Sequence, residues 1–74
     1  MKRHPQIEQN PSIMFGKPVI RGTRVTVAQI LRELGGGMTP EEISANHPNI
    51  TREDIRAAES FAADYLADEE VVLE

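Results

Sequence analysis

Lys17, Arg21 and Arg24 stand close together in the run Gly16-Lys17-Pro18-Val19-Ile20-Arg21-Gly22-Thr23-Arg24-Val25-Thr26-Val27, between apolar residues in a stretch that reads as strand. A buried strand has no use for three cations. On a short β-ribbon such charges either protect an edge or meet a partner. The chemistry on offer is recognition. A guanidinium grips phosphates, which set affinity and register, or pairs with carboxylates of the same chain or of another. Arg24, beside the first helix, suits an ion pair inside the chain as well as an outside contact. Gly16-Lys17 does not form a phosphate loop, because Pro18 occupies the place of the required Ser or Thr and no upstream glycine has the spacing.

Arg52 and Arg56 form a second basic pair, one helical turn apart. On a recognition helix they would reach base edges or phosphates. Glu53, Asp54 and Glu59 stand among them and repel phosphate, and pairing with neighbouring acids on the same helix is the plainer reading. The candidate partner-binding residues, for protein or DNA, are therefore Lys17, Arg21, Arg24, Arg52 and Arg56. Catalytic chemistry has little to work with. Ser12, Ser44 and Ser60 have no His–acid pair placed by a motif, and His4 and His47 are not in metal-ligand spacing. No catalytic, cofactor-binding or metal-binding residue is assigned, and no enzyme is expected.

The elements that must position these residues follow from length and pattern. Seventy-four residues make one domain, 1–74, with a small core. Below about 80 residues such a core supplies only roughly 3–5 kcal/mol, so a partner copy is an attractive source of stability. There is no cysteine, which fits a reducing cytoplasm. No apolar run approaches the ~20 residues of a membrane span, and Lys2-Arg3 leads into no signal-peptide core. Charge is uneven. Residues 1–26 hold five basic side chains against one acid, a net +4, whereas residues 27–74 hold three against eleven, a net −8. Two faces with different partners are expected.

Residues 1–6 are polar and expected to fray. Residues 7–26 read as a two- or three-stranded β-ribbon, with Ile13-Met14-Phe15 and Val19-Ile20 extended, a turn at Gly16-Lys17-Pro18 and a bend at Gly22. Such a ribbon is marginal alone, so it must pair with a second copy or lie across the helices. For a homodimer, Met14, Phe15 and Val19 are the expected interface. Three helices follow in residues 27–66. Thr26 and Gln29 form a capping box ahead of Val27, Ile30, Leu31 and Leu34, and Gly35-Gly36-Gly37 ends that helix. Thr39-Pro40-Glu41-Glu42 caps a short second helix, which Asn46-His47-Pro48-Asn49 breaks. Thr51 caps the third, whose apolar stripe is Ile55, Ala58, Phe61, Ala62, Tyr65 and Leu66. Two helices joined by a tight Pro-Asn turn have the shape of a helix-turn-helix. Residues 67–74 form an acidic tail with an apolar tip, and two readings stand side by side: docking on a basic partner, or a disordered end.

Gly16 to Val27, Thr39-Pro40-Glu41-Glu42-Ile43 and Pro48-Asn49-Ile50-Thr51-Arg52-Glu53-Asp54-Ile55-Arg56-Ala57-Ala58 together resemble one small prokaryotic family, domain of unknown function 433, over about residues 13–66. Its members look like antitoxins paired with PIN-like toxins. The resemblance implies a mainly α fold, a short N-terminal β-ribbon before a three-helix, homeodomain-like helix-turn-helix bundle, frequently dimeric. It also implies the function: an antitoxin of a type II pair that neutralises a PIN-like nuclease and represses its own operon. A free-standing helix-turn-helix regulator of operator DNA is the alternative. One departure is that Phe15 stands where the family often has the first glycine of a pair, which offers an apolar contact to a second subunit. The three glycines at 35–37 also exceed the single one expected.

Overall fold

Three threonines start the three helices. The protein is described here by a computed structural model that covers residues 3–68, so the tip of the expected docking tail, residues 69–74, lies outside the described residues. The helices are α1 (Val27–Gly35), α2 (Pro40–Asn46) and α3 (Arg52–Ala67). Thr26 Oγ1 accepts from the Gln29 amide at 3.0 Å, Thr39 Oγ1 from Glu42 at 3.1 Å, and Thr51 Oγ1 from Asp54 at 3.1 Å. The last two are reciprocal: the Glu42 carboxylate accepts from the Thr39 amide at 2.9 Å, and that of Asp54 from the Thr51 amide at 3.0 Å. Each such cap contributes about 1 kcal/mol. The box expected at Thr26 is only half formed, because the Gln29 side chain reaches forward and donates to Glu33 at 3.2 Å.

The ribbon is short and lies across the helices. β1 (Ile7–Glu8) pairs antiparallel with β2 (Val19–Ile20), Ile7 opposite Ile20 and Glu8 opposite Val19. A further bridge joins Val19 to Thr26, so β2 runs between two neighbours. Alternation along β2 sends Ile20 and its cross-strand partner Ile7 into the helical core. There they meet Val27, Ile30, Ile43, Ile50, Ile55 and Ala58. Val19 points to the other face and is still fully buried within the chain. Its expected place at a dimer interface is therefore corrected: its side chain reaches no outer surface.

Two further expectations change. Residues 3–6 are tied down rather than frayed. His4 Nε2 lies 2.8 Å from Asp64 Oδ2 on α3, and its ring stands edge-on to Phe61. The Arg21 amide donates to the Gln6 carbonyl. Ile13-Met14-Phe15 is not extended either. Met14, Phe15 and Gly16 have φ of 48°, 59° and 81°, three left-handed residues in succession. The turn is closed by Gly16 and Lys17 amides donating to the carbonyls of Ile13 and Met14. The strand-favouring side chains lose here because the chain must reverse between paired Ile7 and Ile20. Asn10 begins that reversal by accepting from the Ser12 amide through its side chain.

On α3, Ile55, Ala58, Phe61 and Ala62 pack as the stripe requires. Tyr65 and Leu66 do not, being 55% and 59% exposed. The cause is length: α3 has 16 residues against 9 in α1 and 7 in α2, so its last turn outruns their cover. Among the described residues no helix is long and apolar enough to cross a membrane.

Candidate partner-binding surface

The five basic candidates separate once their neighbours are known. Arg21 is used by its own chain. Its Nε donates to the Pro5 carbonyl at 2.8 Å, and Nη2 makes a longer 3.5 Å contact with that of Ile7. The guanidinium thus laces the N-terminal segment to the end of β2, while its outer face stays exposed. Arg52 pairs with Glu41 at 3.0 Å, joining the start of α3 to the start of α2 across a half-open surface. That is a salt bridge between helices, not the pairing along one helix that spacing suggested.

Lys17, Arg24 and Arg56 are exposed and make no hydrogen bond or ion pair among the described residues. Arg24 follows a tight turn in which Gly22, at φ +80°, supplies the left-handed position. Thr23 locks that turn: its hydroxyl donates to the Ile20 carbonyl at 2.8 Å and accepts from the Val25 amide at 3.1 Å. Arg24 stands on an open cleft of about 620 Å³ between this turn and the α2–α3 connection, with Ile13 and Val25 as its apolar lining and Asn46 and Asn49 opposite. An arginine facing two carboxamides is a donor set for carboxylate or phosphate oxygens. The internal ion pair considered for Arg24 does not form among these residues.

Arg56 shares a smaller open cleft, about 350 Å³, with Arg3, Gln6 and Ser60, but Glu53 also lines it. Phe15, expected at a dimer interface, is 93% exposed at the crest of the left-handed turn, with Met14 half-buried beside it. The carboxylate partners of His4 and His47 could not be read from the sequence. His47 Nε2 lies 3.0 and 3.2 Å from the two carboxylate oxygens of Glu33, and because a carboxylate only accepts, the imidazole donates. This hydrogen bond holds the Glu33 carboxyl below its ordinary value, assisted by one from Gln29 and opposed by burial. Residues 14 and 60 apart leave no spacing signal from which either histidine pair could have been read. No group of three or more His, Asp or Glu among the described residues is placed to hold a metal ion.

The profile of one family, described as protein of unknown function DUF433, matches residues 7–62. This chain belongs to the DUF433 family. The matched span contains the whole ribbon, Phe15, Lys17 and Arg24, and stops short of Tyr65. The chain is also similar to an uncharacterized protein, y4eO, of Sinorhizobium fredii (strain NBRC 101917 / NGR234), with 34% identity over 56 residues, or 76% of this chain. The chain spans only 25% of that relative's length. No solved structure matches it.

Proposed function

We propose that this DUF433 protein is the antitoxin of a type II toxin–antitoxin pair, acting in the cytoplasm, where it binds and neutralises a PIN-like nuclease and represses its own operon. The motif resemblance suggests the role, and Arg24 supplies the physical support. Its guanidinium is exposed and unpaired among the described residues, on a cleft whose opposite wall carries Asn46 and Asn49. A PIN-like active centre is lined with carboxylates that hold metal, and a cation offered to them competes for the same charges. The homeodomain-like helix-turn-helix arrangement of α2 and α3 belongs to this same reading.

The test is coexpression with the adjacent PIN-like reading frame. The two proteins should co-purify, and Arg24→Glu should restore nuclease activity while leaving the fold intact. Full inhibition by a folded Arg24→Glu variant, or failure to co-purify, would overturn the reading. A free-standing regulator draws instead on Arg3 and Arg56 facing one cleft. It requires salt-dependent binding of operator DNA by the protein alone, lost in Arg56→Glu.

A further inference from the structure

The exposed large apolar side chains among the described residues fall into two places, and the two places have complementary shape and charge. One is convex. Phe15 projects from the turn of Met14, Phe15 and Gly16, and Lys17 follows it. The other is concave. At the end of α3, Tyr65 stacks on Phe61 at a centroid distance of 6.1 Å and an interplanar angle of 10°. Those rings, with His4, Asp64 and Asp68, line an open cleft of about 570 Å³. The convex patch carries a cation and the concave one carries carboxylates.

We propose that two copies of this chain associate by seating the Phe15 turn of one in the Phe61–Tyr65 cleft of the other, with Lys17 meeting Asp68. The turn is strained, since two non-glycine residues in succession occupy the left-handed region, and such strain gathers at sites of binding. Backbone hydrogen bonds close the turn, but the Phe15 ring gains nothing from the chain's own fold, since it is left in water. A rigid turn that presents one aromatic ring is instead suited to anchor an interface, where a buried aromatic beside a charge pair carries most of the affinity. The chain's own cleft supplies the matching aromatic wall. The ribbon's open edge is not the contact, so the two copies meet turn to helix rather than strand to strand. The contact requires no toxin or DNA partner.

The chain has no cysteine, which makes cross-linking clean. Equal amounts of the Lys17→Cys and Asp68→Cys variants, mixed and oxidised, should yield mainly the mixed disulfide. Sedimentation velocity from micromolar to millimolar concentration should show a dimer whose dissociation constant rises at least about tenfold in Phe15→Ser. Lys17→Asp and Asp68→Lys should each weaken the dimer, and the double variant should restore it. Circular dichroism should show every variant folded, since the substituted sites are exposed. A chain that stays monomeric to millimolar concentration would overturn the proposal and leave the Phe15 turn to a different protein. Predominant Lys17→Cys homodimers would overturn it in favour of ribbon-to-ribbon pairing, as would charge swaps that fail to rescue.

Discussion

His47, the residue that ends α2, grips both carboxylate oxygens of Glu33 in the last turn of α1, at 3.0 and 3.2 Å. About a fifth of each side chain is exposed, so the pair fastens two helices at the rim of the core. Because the Glu33 carboxyl is held below its ordinary value, first by this hydrogen bond, it favours the folded state only while ionised. The stability it contributes is complete above the ordinary glutamate value of 4.5 and is lost as pH falls through the lowered one. Glu33→Gln should therefore cost about 1 kcal/mol at pH 6 and progressively less below pH 4.5. Urea unfolding of both proteins from pH 7 to pH 3 checks this; a difference independent of pH would refute it.

Ile43 is fully buried between the helices. Ile43→Ala should cost about 2–5 kcal/mol, comparable with all that a core of this size supplies. The expected outcome is a protein largely unfolded at 37 °C by circular dichroism. Leu66→Ala, at a side chain 59% exposed, should shift the monomer's stability by less than about 0.5 kcal/mol.

Phe15→Asn should leave the monomer at least as stable as the parent, measured at micromolar concentration in urea. Asparagine enters the left-handed region more readily than phenylalanine, and the lost ring was in water. A loss above about 1 kcal/mol would show that the ring is used inside the fold.

Arg21→Ala should destabilise by about 1 kcal/mol, the usual net value of one hydrogen bond, because the 2.8 Å bond to Pro5 disappears. The effect should be local. Amide exchange should quicken at Ile7 and Arg21, whose N–H groups are bonded within this junction, and stay slow in α1. Equal loosening throughout would show that Arg21 supports the whole core.

Thr39→Ala removes the acceptor of the Glu42 amide and should cost about 1 kcal/mol by thermal or urea unfolding. Thr51→Ala should cost a similar amount, since Asp54 returns the bond there as Glu42 does at Thr39.

Much of this architecture was legible from residues three or four apart. Thr39 with Glu42 and Thr51 alone announced two helix starts; both caps formed, and at Thr51 the Asp54 carboxylate returns the bond as well. Gly37, the last of the glycine run, takes φ +101° just past α1, where a chain leaving a helix needs it. The basic candidates were legible as cations but not as free or occupied ones. Whether Arg52 is spent on Glu41, or Arg21 on Pro5, depends on which elements lie side by side.

Sequence by itself determined the order of the three helices, their threonine caps and most of their apolar stripes, because these rest on hydrogen bonds and side-chain spacing within one turn of backbone. Tertiary structure alone decided the rest. It buried Val19 on a face the ribbon's pattern left open, and turned Phe15 outward in a left-handed bend against its strand preference. It brought His4 to Asp64 across 60 residues. Those outcomes follow from how the ribbon lies across α3 and how far α3 outruns its neighbours. Packing sets both, since a local pattern says which face is apolar but not which other face will cover it.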